Sequence, residues 1–207
     1  MDRRELPGNT ASFSRSALAV IGLLVLLLCA GCGKQDQASV DGKPDPRVVE
    51  EFSAACVKGE IERVKTDLAR NPKLATGRNR DGYTPLHLAV SKCRVEIVQM
   101  LIDHGADVNA KGKNDLTPLH VVASLGHVTM AEFLLAEGSE IDALDCRNWT
   151  PLHYSAMGGH SDVAEFLVNH GAKIGVRNSK GMTALELAEK LGHRKIVKLL
   201  ESKEETG

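Results

Sequence analysis

The tetrapeptide Thr-Pro-Leu-His occurs three times along the chain, and each copy begins 33 residues after the previous one, at 84–87, 117–120 and 150–153. A fourth, altered copy with the letters TALE at 183–186 keeps the same step. A fixed period of this length requires one supersecondary unit that stacks on copies of itself, because a single unit cannot bury its apolar face alone. The pattern therefore constrains most of the chain to a repeat architecture.

The residues around each copy carry the signals of a helix start. The Thr hydroxyl accepts from a first-turn N–H, and Pro suits the first helical position because that position needs no donor. Apolar residues then recur in register, and those of the second helix lie at i, i+1 and i+4 on one face. The columns are Leu86/Leu119/Leu152/Leu185, Ile97/Met130/Val163/Ile196, Val98/Ala131/Ala164/Val197 and Leu101/Leu134/Leu167/Leu200. Each repeat is thus predicted to be a helix–turn–helix unit.

The first and last units depart from the pattern in the way that the ends of a stack require. In the last unit the apolar column Ile102/Leu135/Val168 continues as Glu201. A polar residue suits this position because nothing stacks on the outer face of a terminal repeat. The segment 51–68 lacks the tetrapeptide but keeps apolar residues at helical spacing. We interpret it as an atypical N-terminal unit, which predicts about five units in all.

The repeated unit resembles the ankyrin repeat, and the resemblance covers roughly residues 48–201. It implies an all-α solenoid of about five stacked helix-turn-helix units, joined by β-hairpin-like turns, in a domain that spans 47–207. The expected repeats are about 48–80, 81–113, 114–146, 147–179 and 180–207. The resemblance also implies a domain that binds other proteins and catalyses no reaction.

One residue departs from the ankyrin pattern at a corner of the chain. Cys93 stands at the position between the two helices that Gly126, Gly159 and Gly192 occupy in the later repeats. Glycine is usual there because the backbone adopts a left-handed conformation that a Cβ atom disfavours. We therefore expect a strained or locally changed corner at Cys93.

A short apolar run precedes the repeats. Residues 17–30 contain no charged side chain and follow Arg3, Arg4 and Arg15. As a helix this run would measure about 21 Å, which is less than the roughly 30 Å of a hydrocarbon core. A short leucine-rich run behind a basic N-terminus predicts a secretory signal peptide over 1–31 rather than a transmembrane helix.

The end of the apolar run, Ala30-Gly31-Cys32, resembles a bacterial lipobox, with Cys29 where Leu, Val or Ile is usual. The resemblance implies cleavage before Cys32, lipidation of that cysteine, and a membrane-anchored lipoprotein of the bacterial cell envelope that faces the periplasm. The alternatives are an uncleaved N-terminal anchor and plain secretion. Residues 32–46 are polar after the cysteine and contain two prolines, which predicts a flexible tether to the repeats.

Neither the net charge nor the cysteine content indicates a nucleic-acid partner, polybasic binding to a membrane or a required disulfide. Removal of residues 1–31 takes away three basic and two acidic residues, so the formal net charge changes from −1 to −2. This weak charge gives no reason to expect a nucleic-acid partner or polybasic binding to a membrane. Cys56, Cys93 and Cys146 remain in the repeats without CxxC spacing, so the sequence demands no disulfide.

The histidines are predicted to be structural. Six of them form two columns with the 33-residue step, His87/His120/His153 and His127/His160/His193. Neighbours within a column should lie on the order of 10 Å apart, whereas the ligands of one zinc ion each lie about 2 Å from it. In the ankyrin family, the first column holds the turn by hydrogen bonds. Because no nucleophile motif or phosphate-binding loop stands out, we expect no metal, no cofactor and no enzymatic activity. The alternative is an enzyme with a cryptic site.

Variable positions beside each motif are candidates for partner contact, because the invariant positions build the core of a solenoid. The column before each Thr is Tyr83, Leu116, Trp149 and Met182, and the hairpin tips carry Arg80, Lys113, Arg147 and Lys180. Aromatic residues and Met are enriched in interfaces. The hypothesis is a concave strip, apolar and aromatic with a basic margin, that docks a protein with a mildly acidic surface. The alternative is that these side chains pack against neighbouring hairpins.

The function predicted from these features is that of a protein-binding adaptor or scaffold, exported and lipid-anchored. An inhibitor or immunity-type protein that sequesters a specific enzyme or toxin through the same surface is the alternative. Co-purification with one partner at a fixed stoichiometry would favour the inhibitor over a looser scaffold.

Overall fold

Residues 44–204 form ten α-helices and no strand in the computed structural model, which describes this part of the chain. The predicted signal peptide over 1–31, the lipidation site Cys32 and most of the predicted tether lie outside the described residues. The helices form five pairs: α1 Pro46–Lys58 and α2 Ile61–Arg70, α3 Pro85–Val90 and α4 Val95–Asp103, α5 Pro118–Leu125 and α6 Val128–Ala136, α7 Pro151–Gly158 and α8 Ser161–Asn169, α9 Ala184–Leu191 and α10 Arg194–Glu204. Short 3-10 turns occupy Pro72–Thr76 and Lys113–Asp115. The predicted all-α stack is confirmed.

The first helix of each later pair begins and ends at the residues that the sequence marks. The N-caps of α3, α5, α7 and α9 are Thr residues in capping boxes, in which the third helical side chain reaches back to the N-cap N–H. A glycine in the left-handed conformation follows α5, α7 and α9. The helices of 8 residues are therefore bounded by local signals at both ends.

The pairs stack in register, with first helices packed on first helices from α1 to α9. Among the second helices, α2 packs on α4, and α8 packs on both α6 and α10. The predicted apolar columns fill the seams, and the column Leu101, Leu134, Leu167 and Leu200 has 0% exposure throughout. In the last pair Leu185 and Val197 are only half-buried and Glu201 is exposed, because no further pair of helices within residues 44–204 covers them. No helix within residues 44–204 combines the length and apolar character needed to span a bilayer.

The first helix of the N-terminal pair is longer than the first helices of the later pairs. Helix α1 has 13 residues, and the Asp45 side chain caps it by accepting the Arg47 N–H. Its apolar face buries Val49 and Phe52, and a Cβ built at Gly77 would lie 2.5 Å from a Val49 methyl group. Helix α1 thus begins one residue before the predicted start of the domain at 47, and the repeat boundaries themselves stay a prediction.

The corner between α3 and α4 has the strained backbone expected of a glycine position without glycine. Cys93 adopts a φ of 51°, and the equivalent Gly126, Gly159 and Gly192 have φ values of 78°, 72° and 76°. The left-handed region costs a residue with a Cβ roughly 1–2 kcal/mol. The corner is also rebuilt locally, because α3 ends at Val90 after 6 residues whereas α5 has 8.

Replacement of Cys93 by glycine is expected to stabilise the protein. Relief of about 1–2 kcal/mol of backbone strain outweighs the roughly 0.4–1 kcal/mol that glycine costs through the unfolded chain, for a net gain of about 0.5–1 kcal/mol. Denaturant unfolding of Cys93→Gly measures the gain. Cys93→Ala is the matched control, because it removes the thiol and keeps the Cβ. Equal stabilisation by both variants would show that the left-handed backbone is not the cause.

Candidate protein-binding surface

Four turns project from the stack, one before each of the first helices α3, α5, α7 and α9. We call these turns, at 79–83, 112–116, 145–149 and 178–182, the fingers. Each is closed by a backbone hydrogen bond from its first residue to the carbonyl of its last, as from Asn79 N–H to Tyr83 at 2.8 Å. Adjacent fingers are joined where Cys146 N–H donates to Asn114 and Ser179 N–H donates to Arg147. The last three fingers therefore form one connected row.

The first side chain of a finger organises its tip. Asn79 Oδ1 accepts the N–H groups of Asp81 and Tyr83 at 3.1 and 2.9 Å, and Asp145 and Asn178 accept the equivalent pairs. Gly112 lacks this side chain, and its finger instead has Asn114 and Asp115 at a φ of 60°. Asp115 and Asn148 stand at the tip position that Gly82 and Gly181 occupy, and both adopt the left-handed conformation, which Asp and Asn tolerate better than most residues with a Cβ.

The motif histidines tie each first helix to the finger of the following repeat. His87 Nδ1 accepts the Thr84 N–H, which leaves Nε2–H to donate to the carbonyl of Leu116 at 2.8 Å. In the same way, His120 donates to the Trp149 carbonyl at 3.0 Å and His153 to the Met182 carbonyl at 3.1 Å. The histidines are structural as predicted, and they bridge neighbouring repeats as well as holding their own turn.

The last repeat has no following finger, and its histidine position is Glu186. The carboxylate accepts the Thr183 N–H at 2.9 Å and pairs with Arg177 at 3.1 Å. Both contacts are local, because Thr183 and Arg177 lie on either side of the last finger. These two interactions lower the pKa of Glu186, the hydrogen bond from Thr183 being the larger cause. Glu186 thus caps its own helix but forms no hydrogen bond to a following finger.

The column predicted to be an apolar contact strip lies mostly inside the protein. Tyr83, Leu116 and Trp149 are 8%, 3% and 6% exposed, and only Met182 is half-buried. The Tyr83 ring packs 5.6 Å from the His87 ring and against Gly112, where an added Cβ would lie 2.9 Å from the tyrosine. The burial favours the alternative in which these side chains pack against neighbouring fingers. A contact between them and a partner stays a prediction.

The central finger holds a buried carboxylate that sequence analysis missed. The Asp145 side chain has 0% exposure, and its Oδ2 accepts the Tyr154 hydroxyl at 2.9 Å and lies 3.8 Å from Arg147 Nε. The Arg147 guanidinium also lies 5.2 Å from the centre of the Trp149 ring, a cation–π arrangement. The available signal was an Asp where other fingers have Asn79 and Asn178. These contacts make the central finger rigid.

The predicted basic tips divide into two groups. Arg80, Lys113 and Lys180 are exposed, and none of them forms an ion pair within residues 44–204. Arg147 is half-buried and engaged with Asp145. Three cations therefore stand at the tips of the first, second and fourth fingers, and the third finger presents a tethered one.

One thiol of the described residues, that of Cys56, is buried in the core. Burial raises the pKa of the Cys56 thiol to about 12, so it stays protonated and unreactive. No group of three or more His, Cys, Asp or Glu side chains within residues 44–204 is arranged to hold a metal ion. A stack of helical pairs with a row of fingers thus defines the class of repeat scaffolds, which act by binding.

The family model of ankyrin repeats (3 copies) matches residues 52–145 and 119–206. The chain belongs to the ankyrin repeat family. Membership indicates protein partners, and the ankyrin fold is generally non-catalytic.

Individual relatives match over short stretches. Alpha-latrocrustotoxin-Lt1a of Latrodectus tredecimguttatus is 41% identical over 61 residues, 30% of this chain and 4% of that protein. The 2-5A-dependent ribonuclease of Mus musculus is 40% identical over 70 residues, 32% of this chain and 10% of the enzyme. The probable 26S proteasome regulatory subunit p28 of Saccharomyces cerevisiae is 39% identical over 82 residues, 39% of this chain and 36% of the subunit. The chain thus spans 4% to 36% of these relatives, and the similarity concerns repeats.

The bridging histidines are held neutral. Burial is the main cause that lowers the pKa of His87 and of His120 from 6.5 to about 4, and burial also lowers the pKa of His153. Protonation at Nδ1 would remove the acceptor of the Thr N–H. Because the unfolded chain binds these protons more readily, the stability contributed by the histidines is full above pH 6.5 and is lost as pH falls through 4.

The free energy of unfolding is therefore expected to fall between pH 6.5 and 4, by on the order of 3 kcal/mol for each of His87 and His120. Denaturant unfolding at a series of pH values measures this loss. A chain with His120→Gln is the control, because glutamine does not titrate in this range. It should be less stable at neutral pH and lose less on acidification. A slope unchanged by the substitution would assign the acid sensitivity to other groups.

Proposed function

We propose that the protein is an exported, lipid-anchored ankyrin repeat protein that serves as a binding adaptor or scaffold in the bacterial cell envelope. Two features of the sequence support export and anchoring: the uncharged run at 17–30 and the lipobox-like Ala30-Gly31-Cys32 that ends it. The polar segment that follows would let the repeats reach partners from a membrane surface facing the periplasm.

The observation that carries the binding role is the row of fingers held by inter-repeat hydrogen bonds with cations at its tips. Exposed Arg80, Lys113 and Lys180 place cations at the tips, with the exposed carboxylates of Asp81 and Asp115 in the first two fingers, and the half-buried Met182 adds apolar surface at the end of the row. Tyr83, Leu116 and Trp149 support the fingers from within and Arg147 stiffens the central one. A row of like charges favours a partner with a mildly acidic surface and accelerates its encounter.

The same surface would serve an inhibitor that sequesters one enzyme or toxin, and one observation favours this second function. The Asp145–Arg147–Tyr154 contacts preorganise the central finger, so less entropy is lost when a partner binds it. Preorganised surfaces suit tight complexes. A partner that co-purifies at fixed stoichiometry would distinguish the inhibitor from the scaffold.

Reversal of the three exposed tip charges is expected to abolish partner capture. A chain with Arg80→Glu, Lys113→Glu and Lys180→Glu should keep its helical circular dichroism, because all three side chains are exposed. Its affinity for the captured envelope protein should fall about tenfold or more, since like charges now face each other. Affinity capture from envelope extracts, followed by titration with the captured protein, measures the loss.

The matched control reverses three exposed lysines of the second helices, Lys65, Lys195 and Lys198, and leaves the fingers intact. Equal loss of capture in both variants would assign the effect to net charge and contradict the proposed surface. Tyr83→Ala and Trp149→Ala are unsuitable as binding variants, because truncation of a buried aromatic side chain costs about 3–5 kcal/mol of stability.

Mass spectrometry of the mature N-terminus tests the proposed export and lipid anchoring of the protein. We expect residues 1–31 to be absent and a diacylglyceryl group on Cys32. Because the thiol sulfur carries the lipid, Cys32→Ser should lack this added mass. An intact Met1 in the wild-type chain would overturn both export by cleavage and the anchor, and an unmodified Cys32 at the new N-terminus would leave secretion without an anchor.

A further inference from the structure

A groove of about 310 Å³ lies between the first helices of the first two repeats, α1 and α3. Its wall is largely apolar and includes Ala54, Val57 and Leu88. The small side chain of Ser53 also lines it, and Glu50 and Lys58 stand along the same wall. Within residues 44–204, no finger precedes α1 as one precedes each of the later first helices.

The register of α1 explains why this space is open. Gly59 ends α1 in the left-handed conformation, as Gly126 and Gly159 end α5 and α7. Ser53 lies six residues before Gly59, which is the spacing from the motif histidine His120 to Gly126. A serine is too short to bridge to the next finger as the imidazole does. Ala54, the following residue, is likewise small where the later repeats have Leu88, Val121 and Tyr154.

The Ser53 hydroxyl is left without a hydrogen-bond partner. Its residue is 1% exposed, and Oγ has no donor or acceptor among the described residues. Other serines of the first helices satisfy themselves on their own helix: Ser91, Ser124 and Ser155 donate to the carbonyl three residues earlier at 2.7, 2.8 and 2.8 Å. An unsatisfied buried hydroxyl destabilises a fold, so a group that supplied the missing bond would bind here with an advantage.

The charges beside the groove limit what such a ligand is. Glu50 and Lys58 are separated by eight residues of α1, or about 12 Å along a helix. Lys58 has only a weak exposed pairing with Glu60 at 3.8 Å, and exposed Glu50 accepts the backbone N–H of Arg80 at 3.4 Å, which leaves both charges open to a ligand. An extended chain covers about 12 Å in three to four residues. One basic and one acidic residue four positions apart would therefore match the two charges.

We propose that this groove binds an extended segment of the protein partner, in which a central apolar side chain is flanked by one acidic and one basic residue. The apolar side chain lies over Ala54, Val57 and Leu88, and a backbone group of the segment completes the hydrogen bonding of Ser53. The acidic residue faces Lys58 and the basic residue faces Glu50. This inference rests on the proposed function, because it places one anchor of the same partner.

Photo-crosslinking with a synthetic probe tests the groove directly. The probe is the peptide Lys-Ala-photoleucine-Ala-Glu with blocked termini, added to the full chain. Crosslinks are expected to map by mass spectrometry to α1 and α3, with a yield that saturates. Peptides with two lysines or two glutamates at the flanks should crosslink at least about threefold less, since one attraction becomes a repulsion. Equal yields for the three peptides, or crosslinks spread over all repeats, would overturn the proposal.

Two variants test the contribution of the apolar wall of the groove and that of the Ser53 hydroxyl separately. Ala54→Trp fills the space from an exposed position and is expected to abolish the crosslinks. Ser53→Ala removes the unsatisfied hydroxyl, so Tm should rise by about 2–4 °C while the crosslink yield falls. Ser124→Ala is the matched control, because its hydroxyl is satisfied and its removal should not raise Tm. Crosslinks that persist in Ala54→Trp, or a Tm that does not rise in Ser53→Ala, would contradict the assignment.

The natural partner distinguishes this inference from the function on which it rests. If the triple finger variant loses the captured protein and Ala54→Trp keeps it, the groove is wrong and the proposed function stands. If both variants keep it, the proposed function fails as well. Sedimentation measurements test whether a second copy of the chain occupies the groove instead. A dimer of the full chain that dissociates in Ala54→Trp would assign the groove to a second copy and contradict the proposal.

Discussion

The stack depends on one interaction, the hydrogen bond from each buried motif histidine to the finger of the following repeat. In each of His87, His120 and His153, Nδ1 accepts a hydrogen bond from the start of its own helix and Nε2–H donates one to the next repeat. A neutral imidazole is required, because only that form accepts on one nitrogen and donates on the other. Local capping and inter-repeat geometry are thereby fixed by the same ring, and burial keeps it uncharged.

The two ends of the stack show what happens where this bridge is not possible. At the C-terminal end Glu186 keeps the cap and pairs with Arg177 beside the last finger, so its carboxylate is satisfied without a following repeat. At the N-terminal end Ser53 is too short to reach the next finger and its hydroxyl stays without a partner. The first solution completes the fold, whereas the second leaves a groove that a ligand could complete. The proposed binding sites therefore lie at the irregular first repeat and the finger tips, outside the regular core.

The sequence predicted where the fingers lie more reliably than which of their side chains are exposed. The step of 33 residues placed the finger tips, and three of the four basic tip residues are exposed as a partner contact requires. The exposure of the aromatic column was predicted less well. Tyr83 and Trp149 are buried because each finger packs on its neighbour, and a single-repeat pattern does not say which side of a finger that neighbour covers. The Asp145–Tyr154 contact was missed for a similar reason, since it joins a finger to a helix across nine residues.

The sequence by itself determined the fold class, the number of helical pairs, the helix starts at Thr-Pro, the left-handed corners and the change of character in the last repeat. These features depend on local backbone preferences and on a fixed period, both of which can be read from the order of the residues alone. Only the tertiary structure decided which variable side chains are buried between fingers, that Arg147 is tethered while Arg80 and Lys113 are not, and that Ser53 lacks a partner. Each of these depends on distances between residues of different elements or repeats, and those distances exist only once the helices have packed.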